Sequence, residues 1–600
     1  MEIAKVGVVG CGTMGSGICE VVARAGLPVA FAEVSPDAVE VGHERIRHSL
    51  DRAVARDKLD AGERVEIVER ITGGSSLDVL ADADLVVEAV PEQLGLKQET
   101  FRKLDRILGP EAILATNTSS LAVTGIAVNT DRADRVVGFH FFNPAPVMPL
   151  IELITTVVTA PWVVASARAF AERIGKTPVV AKDRAGFVAN LLLFPYLNQA
   201  VGMLESGYAT KEDIDAAMQL GAGHPMGPLA LVDLIGLDSA NAIMERMYEQ
   251  FNDTRHAPRP VIRQLLAAGY RGRKTGRGFY SYVEPNSPQL ADDETNHPPV
   301  ADPALVTGWS SVGVVGTGTM ATGIAEVCAK AGFDVVLRGR SPEKAEQALA
   351  RVAGSLDKAV ERGKLDAGAR EATLTRVRGT DDLADLVGCD LVVEAVAEEL
   401  ALKRELFAEL DRRTAGAPPA SRREDKPPAV LATTTSSLAV IECAMATSRP
   451  EQVVGIHFFN PANRMRLVEV THTVRTDPAV LEQARAFTER VGKHPVVCGD
   501  RAGFIVNALL FPYLNDAVKM LAEGYATVTD IDTAMRLGCG HPLGPFELMD
   551  VVGLDVTLQI CRALHAEFRE PGFAPAPLLG HMVNAGYLGR KTGRGFHVHA

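Results

Sequence analysis

The chain repeats itself, and this repeat limits the possible folds more than any other feature of the sequence. Residues 186–238 recur as residues 503–555, with 35 identical residues in 53 aligned positions at an offset of 317. Nearer the N-terminus the offset is 306, so that Gly10 corresponds to Gly316. A period of about 300 residues is far longer than that of a solenoid repeat. The 600 residues are therefore predicted to form two complete folding units of one kind.

Two segments do not repeat. The change of offset marks an insertion of 11 residues between Asp411 and Val430, whose proline, alanine and charged residues predict a surface loop. Residues 284–308 hold five prolines and five acidic residues but no lysine, arginine or aromatic residue. That composition predicts an extended linker between the units.

Each unit divides again into two domains. Its first part alternates short β-rich runs with helical stretches, which is typical of an α/β parallel sheet. Its last part consists of long stretches with helical apolar periodicity, which predicts an all-α domain. Each unit is therefore predicted to contain an α/β domain followed by an all-α domain, and this pair is duplicated in tandem. The predicted domains are 1–183 and 184–283 in unit one, the linker 284–308, and 309–500 and 501–600 in unit two.

A glycine-rich loop opens unit one and predicts a nucleotide site. It follows an apolar strand and begins a helix, and a second strand after it ends in an acidic residue, Glu33. In this context the first glycine permits the tight turn, the second admits a pyrophosphate, and the third packs the helix on the sheet. The helix N-terminus offers free N–H donors, and Glu33 would bind ribose hydroxyls and repel a 2′-phosphate. The first domain of each unit is therefore predicted to be a Rossmann-type dinucleotide-binding domain. In unit one the predicted cofactor is NAD, held by Gly10, Gly12, Thr13, Met14, Gly15 and Glu33.

Unit two keeps this loop but changes the ribose position. Gly339 stands where unit one has Glu33, between Arg338 and Arg340. Two arginines beside a lost carboxylate favour a 2′-phosphate, although solvated arginines would fit the sequence equally. The cofactor of unit two is therefore left open between NAD and NADP. Its predicted contacts are Gly316, Gly318, Thr319, Met320, Ala321, Arg338 and Arg340.

Three further segments recur in both units and contain groups suited to acid–base chemistry. A strand–loop–strand pattern separates His140 from Glu152, and the return of the chain brings the carboxylate beside the imidazole. A histidine held by a carboxylate suits a general base acting on an alcohol. The hydroxyl of Ser119 and the amide of Asn190 are suited to hold the substrate oxygen.

Each unit resembles the 3-hydroxyacyl-CoA dehydrogenases over its whole length. The matching motifs are GCGTMGSGI, VVEAVPE, NTSSL, HFFNP, GFVANLLLFPYLNQA, GHPMGPL and GRKTGRGFY. The resemblance implies oxidation of a (S)-3-hydroxyacyl-CoA to a 3-oxoacyl-CoA with hydride transfer to NAD. It implies catalytic roles for Ser119, His140, Glu152 and Asn190, repeated as Ser436, His457, Glu469 and Asn507. It implies further cofactor contacts at Glu92, Lys97 and Lys274, repeated as Glu398, Lys403 and Lys591. It also implies CoA contacts at Ser49 and Arg56 with Lys58 close by, repeated as Ser355, Arg362 and Lys364.

Two alternatives stay open at this point. Either the substrate is a CoA thioester, or it is a free acid, as for a related 3-hydroxyacid dehydrogenase. Either both units are catalysts, or one of them is a structural copy without activity. Unit two departs from the family pattern at Gly339, at Thr434 in place of Asn117, and in the inserted loop. These departures leave its cofactor preference and efficiency open.

Composition and charge restrict the partners. The net charge of −13 argues against nucleic acid and anionic membranes, so an acyl-CoA is the expected partner. No C-x-x-C pair occurs, no metal is expected, and no basic signal segment or membrane-length apolar run is present, which predicts a cytoplasmic location. The apolar helical domains are predicted to pair, within the chain or in a homodimer, with the two active sites independent.

Overall fold

The computed structural model describes residues 1–296, 301–415 and 428–599, with the side chains of 295 and 415 left out. Each unit contains an eight-stranded sheet followed by a bundle of five helices. The strand order of the first sheet is β3-β2-β1-β4-β5-β6-β7-β8, and the second sheet repeats it. All neighbouring strands are parallel except β6 and β7 and their counterparts, which are antiparallel. The predicted fold class is confirmed.

The strands of unit one are β1 (Val6–Val9), β2 (Val29–Ala32), β3 (Ile71–Gly74), β4 (Leu85–Glu88), β5 (Ile113–Thr116), β6 (Val136–Phe141), β7 (Leu150–Thr155) and β8 (Thr177–Lys182). Those of unit two are β9 (Ser311–Val315), β10 (Asp334–Arg338), β11 (Val377–Thr380), β12 (Leu391–Glu394), β13 (Val430–Thr433), β14 (Val453–Phe458), β15 (Leu467–His472) and β16 (His494–Gly499).

The helices of the first sheet domain are α1 (Thr13–Arg24), α2 (Pro36–Val54), α3 (Ala61–Glu69), α4 (Leu94–Ile107), α5 (Val123–Ala127) and α6 (Pro161–Arg173). The helical domain that follows contains α7 (Ala189–Glu205), α8 (Lys211–Gly221), α9 (Pro228–Ile235), α10 (Leu237–Phe251) and α11 (Pro260–Ala267). The second sheet domain has α12 (Thr319–Lys330), α13 (Pro342–Glu361), α14 (Ala367–Leu374), α15 (Leu400–Ala415), α16 (Val440–Ala444) and α17 (Pro478–Arg490). Its helical domain has α18 (Val506–Ala522), α19 (Val528–Cys539), α20 (Pro545–Val552), α21 (Leu554–Phe568) and α22 (Pro577–Asn584).

The central strands are apolar throughout because helices cover both faces of each sheet. Every residue of β1, β4, β5 and β6 is buried. Buried apolar side chains form three clusters, of which two lie on the outer faces of the two sheets. The third is shared by the inner faces of both sheets and by both helical domains. One continuous core therefore joins the units. Among the described residues, no helix combines the length and apolar character needed to cross a bilayer.

The segment between the units packs against both of them. The Asn296 amide donates to the carbonyl of Ser281 in unit one and to that of Ala291 within the segment itself. A 3₁₀ helix at Pro303–Val306 lies on α17, where Arg490 donates to the carbonyl of Val306. The prediction of an extended conformation is therefore wrong for residues 284–296 and 301–308. Of the predicted loop between Asp411 and Val430, residues 411–415 continue α15, and residues 416–427 lie outside the described residues.

The two helical domains pack together within the one chain. Helix α7 crosses α18, and Gln199 donates to the carbonyl of Ala508 at 2.7 Å. Arg255 binds Asp516 through its Nη1 at 2.8 Å. Each helical domain also reaches the sheet of the other unit, since α19 contacts β7 and β8 and α8 contacts β15 and β16.

A stacked histidine pair lies where the helical domains meet, and it predicts a dependence of stability on pH. The ring centroids of His224 and His541 are 4.0 Å apart, and Nδ1 of each lies 3.2 Å from the hydroxyl of a buried tyrosine. Burial lowers the pKa of His224 to about 4 and, together with the neighbouring His224, that of His541 to about 3. Unfolded histidine binds its proton near pH 6.5. The unfolded chain thus takes up more protons below that pH, and the free energy of unfolding should fall as pH drops from about 6.5 to 4.

Denaturant midpoints at pH 7 and pH 5 measure this effect. The double variant His224→Phe, His541→Phe keeps two stacked rings but has no titrating group there, so it should lose less stability between the two pH values. An equal loss in the variant and the natural chain would show that these histidines do not carry the effect.

Candidate active site

The glycine loop of unit one joins β1 to α1 and leaves the helix N-terminus open. Gly10 has φ +87°, which favours glycine. A Cβ on Gly15 would lie 1.8 Å from the Gly10 oxygen, so this position admits only glycine in this backbone. Gly12 precedes α1 without a side-chain cap, and the first turn holds no acidic residue. The loop therefore offers unshielded amide donors, as a pyrophosphate requires.

The corresponding loop of unit two has a different backbone, which explains its alanine. Gly316 has φ +137°, and Ala321 is accommodated fully buried. Gly318 again precedes the helix α12 without a side-chain cap.

The two units differ most where the sequence predicts ribose recognition. Glu33 follows β2 and accepts a hydrogen bond from the Cys11 amide at 2.6 Å, which fixes its carboxylate beside the glycine loop. A side chain on Gly339 would meet the backbone of Ala345 at 2.6 Å, so no carboxylate fits there without movement of the backbone. Arg338 donates to the Asp381 carbonyl at 3.3 Å, and Arg340 is exposed.

The predicted histidine–carboxylate pair is formed in both units. Strands β6 and β7 pair antiparallel with His140 opposite Glu152, and His140 Nδ1 lies 2.8 Å from Glu152 Oε2. The same register gives 2.7 Å between His457 Nδ1 and Glu469 Oε2. Both glutamates are fully buried. A hydrogen on Nδ1 satisfies the carboxylate and leaves the Nε2 lone pair available as a base.

The second oxygen of this carboxylate holds the start of the helical domain. Glu152 Oε1 accepts hydrogen bonds from the amides of Val188 at 3.1 Å and Ala189 at 2.8 Å. These amides belong to the N-terminal end of α7, where partial positive charge stabilises an anion. Asn190 is the next residue, so the glutamate also fixes the position of the predicted amide. Unit two repeats the bonds from Ile505 and Val506 to Glu469.

Aromatic rings flank the histidine. Phe142 and Phe187 have ring centroids 4.8 Å and 5.5 Å from that of His140. Phe187 has φ +49°, an unusual conformation for a bulky residue, and Phe504 in unit two has the same value. Strained backbone of this kind persists only where the surroundings enforce it, and it concentrates at functional sites. The sequence pattern carried no signal for this strain.

Glu92 organises the serine loop that follows β5. Its Oε1 accepts hydrogen bonds from Thr118 Oγ1 at 2.6 Å and from the amides of Ser119 and Ser120 at 3.0 and 3.1 Å. Burial opposes its ionisation, but Lys97 and these donors outweigh burial, so the pKa of Glu92 lies below its usual value. The Lys97 ammonium is 1% exposed and lies 2.7 Å from Glu88. Lys97 therefore acts on the site through the two glutamates.

Unit two repeats this arrangement, with one difference. Glu398 accepts from the Ser436 amide at 2.8 Å, and Lys403 pairs with Glu394 at 2.8 Å. Asn507 donates to the Ser436 carbonyl at 3.4 Å, so the predicted amide and serine are adjacent. In unit one Asn117 Oδ1 accepts from the Phe141 amide at 2.8 Å and ties the serine loop to β6. Thr434 stands in its place and is too short for the same bridge.

The predicted CoA contacts of unit one line a groove. Ser49, Arg56 and Lys58 border a cavity of about 410 Å³ between α2 and the segment 144–147 that follows His140. Arg24 and Arg52 also line it. Neither arginine was predicted from the sequence. The available signal was that the corresponding positions of unit two, 306 residues later, are the basic residues Lys330 and Lys358. In unit two the side-chain amide of Asn463 donates to the Ser355 hydroxyl at 3.1 Å, and this bond spans the region that corresponds to the groove.

Four more basic residues are held by acidic side chains or by backbone carbonyls. Lys274 and Lys591 lie in the helical domains, where they bind Asp238 and Asp555. Arg45, which the sequence reasoning missed, donates to the Cys11 carbonyl of the glycine loop at 3.2 Å. In unit two Arg351 donates to the Thr317 carbonyl at 2.7 Å. Arg351 lies 306 residues after Arg45, so the recurrence of this arginine in both units was the sequence signal for its role.

The two sites are not structurally separate. A Cβ on Gly538, in α19 of unit two, would lie 2.8 Å from Leu150 and 3.3 Å from Phe142 of unit one. In the reverse direction, a Cβ on Gly221 would lie 2.7 Å from Leu467 and 2.8 Å from Val506. Each catalytic segment is thus backed by a helix of the other unit. Whether the two sites work independently in catalysis stays a prediction.

Comparison with known proteins finds the same domains in both units. The 3-hydroxyacyl-CoA dehydrogenase NAD binding domain matches residues 5–184 and 311–501, and the C-terminal domain of that family matches 186–282 and 503–599. A 3-hydroxybutyryl-CoA dehydrogenase of Mycobacterium tuberculosis is 46% identical over 282 residues, which cover 47% of this chain and 99% of that protein. The human mitochondrial hydroxyacyl-coenzyme A dehydrogenase is 43% identical over 290 residues, covering 47% and 91%.

A solved structure matches across both units. The 3-hydroxybutyryl-CoA dehydrogenase of Escherichia coli K12 aligns with 98% of this chain and 100% of its own, with a TM-score of 0.70 and 26% identity.

Proposed function

Because this chain belongs to the 3-hydroxyacyl-CoA dehydrogenase family, we propose that each unit interconverts a (S)-3-hydroxyacyl-CoA and a 3-oxoacyl-CoA with a nicotinamide cofactor. The observation that carries the proposal is the buried pair of His140 and Glu152, which recurs intact as His457 and Glu469. Two units with the same acid–base pair favour two catalysts over one catalyst and a structural copy.

The proposed roles follow from the geometry. Nε2 of His140 removes the proton of the substrate hydroxyl, and Glu152 stabilises the imidazolium through Nδ1. A bound NAD would supply the acceptor for the hydride on C3 of the substrate. Ser119 and Asn190 donate hydrogen bonds to the oxygen as it becomes a carbonyl. In the reverse direction His140 returns the proton. Unit two assigns the same roles to Ser436, His457, Glu469 and Asn507.

The chain's residues fit a dinucleotide at the glycine loop. The unshielded N-terminus of α1 faces the loop, and the carboxylate of Glu33 is fixed beside it. Gly10, Gly12, Thr13, Met14 and Gly15 would hold the pyrophosphate, with Glu92 and Lys97 shaping the serine loop. We propose NAD for unit one, and NAD or NADP for unit two.

Cofactor preference should differ between the units. Variant His457→Ala leaves catalysis to unit one, which should prefer NADH because Glu33 repels a 2′-phosphate. Variant His140→Ala leaves it to unit two, where the ratio of kcat/KM for NADPH to that for NADH should be higher. Arg338→Ala with Arg340→Ala should lower this ratio about tenfold, the typical effect of charge-assisted bonds to phosphate. Equal NADH preference of the two sites would contradict the role of these arginines.

The CoA thioester is proposed as the substrate form. Three arginines and a lysine line the groove beside Ser49, and they supply local positive charge in an acidic chain. We also propose a cytoplasmic location, and pairing of the helical domains within the chain in place of a homodimer, which the shared core supports.

The test compares acetoacetyl-CoA with free acetoacetate, with NADH oxidation followed by absorbance. The proposal expects turnover of the thioester by each single-histidine variant. Turnover of the free acid alone would favour a 3-hydroxyacid dehydrogenase. If one of the two variants loses all turnover, the unit whose histidine is intact in that variant is a structural copy.

A further inference from the structure

A cavity between the helical domains breaks the pseudo-two-fold symmetry of the chain. It has a volume of about 240 Å³ and lies where α7 crosses α18. Its apolar wall consists of Pro195, Tyr196, Met203, Tyr513, Phe568 and Phe573. Its polar groups include Arg259 and Arg501. None of the proposed catalytic residues lines it.

The equivalent place on the other side of the pseudo-axis is closed by an ion pair. There Arg184 binds the carboxylate of Glu523 and lies over the ring of Tyr525, 5.0 Å from its centroid. Lys519, one turn before Glu523, reaches back to the carbonyl of Gly572 at 2.8 Å. Two long side chains thus fill that position.

The cavity side lacks both of these side chains. At the offset of 317, Ser206 stands for Glu523 and Gly202 stands for Lys519, and both residues line the cavity. Arg501 stands for Arg184 and keeps the aromatic contact, with its guanidinium 3.5 Å from the centre of Tyr208. Its Nε is buried without a hydrogen-bond partner. A buried guanidinium nitrogen without an acceptor is costly, and an external acceptor would relieve that cost.

The other charged groups leave room for one anion. Arg255 is bound by Asp253 and Asp516, so it is already neutralised. Arg259 lies against Gly202, where a Cβ would be 2.9 Å from its Nε. Within the described part of the chain, Arg259 and Arg501 make no ion pair, and neither does Glu570 on the rim. Lys519 also binds Asp516, at 3.2 Å. The three arginines and Lys519 therefore face three carboxylates, Asp253, Asp516 and Glu570, which leaves one excess positive charge.

We propose that this cavity binds a small monocarboxylate with a compact apolar or aromatic body. The carboxylate would take the place that the Glu523 carboxylate occupies on the other side and would bind the Arg501 guanidinium, with Arg259 beside it. The body would lie against Tyr196, Met203 and Phe568. A guanidinium pairs bidentately with a carboxylate, and the surrounding apolar wall strengthens that pair by excluding water. This inference does not depend on the proposed reaction.

Isothermal titration calorimetry of the full chain with sodium benzoate tests the proposal. Benzoate should bind one site per chain, and benzamide, which has the same shape without the charge, should bind at least about tenfold more weakly. Inorganic phosphate should not compete. Binding of phosphate in preference to benzoate, or equal binding of benzamide, would overturn the proposal.

Variants assign the site. Ser206→Glu introduces the carboxylate that the other side possesses, so it should pair with Arg501 and abolish benzoate binding, whereas Ser206→Ala should leave binding intact. Arg501→Met should also remove binding, and Arg184→Met, its equivalent outside the cavity, should not. Turnover of acetoacetyl-CoA and the thermal midpoint show that each variant is folded. Unchanged benzoate binding in folded Ser206→Glu or Arg501→Met would refute this cavity as the site.

Discussion

Replacement of both His140 and His457 by alanine should lower kcat about 10²–10⁴-fold, the typical contribution of a positioned general base. Nδ1 of each histidine lies 2.8 Å or 2.7 Å from its buried glutamate, which leaves Nε2 to accept the substrate proton. The serine and the asparagine of each site are proposed as hydrogen-bond donors to the substrate oxygen, so they do not replace this base. Stopped-assay or absorbance measurement of NADH oxidation with acetoacetyl-CoA gives kcat directly.

Single variants and a surface histidine provide the controls. His140→Ala and His457→Ala should each retain the turnover of the other unit, and His581→Ala, at an exposed position of α22, should retain both. Circular dichroism should show the same helical content in all four proteins. Near-normal kcat in the folded double variant would show that the histidine assignment is wrong.

The sequence predicted the parts of the site that lie along one stretch of chain. The spacing of twelve residues between His140 and Glu152, with a loop between two strands, determined an antiparallel register that brings the two side chains together. The glycine loop was predictable for the same reason, since strand, turn and helix follow one another directly. Local order and period are sufficient for such features.

Features that depend on contacts between distant segments were not predicted. The amides of Val188 and Ala189 donate to Glu152, which lies 36 and 37 residues earlier in the chain. No local sequence pattern predicts these hydrogen bonds. The strained Phe187 directly precedes these two residues. Likewise, the acidic and proline-rich composition of residues 284–308 predicted an extended linker and not the packing of Pro303–Val306 on α17, because that packing depends on the surface of the partner helix.

The contact of each catalytic segment with the other unit predicts an effect in trans. Gly538→Val should lower the turnover of unit one about 10–100-fold while leaving that of unit two nearly unchanged. The added side chain needs the space of Leu150 and of Phe142, whose ring lies 4.8 Å from that of His140. Overpacking of this kind displaces neighbours, and a shift of about 1 Å at a reacting group costs up to about 100-fold in rate. The His457→Ala background isolates the activity of unit one for this measurement.

The reciprocal glycine separates an effect in trans from general damage. Gly221→Val lies in unit one but faces Leu467 and Val506, so it should impair the turnover of unit two, measured in the His140→Ala background, and spare that of unit one. Misfolding of a helical domain would instead lower the activity of the unit that carries the substitution. If Gly538→Val affects unit two more than unit one, the catalytic segment of unit one does not depend on α19.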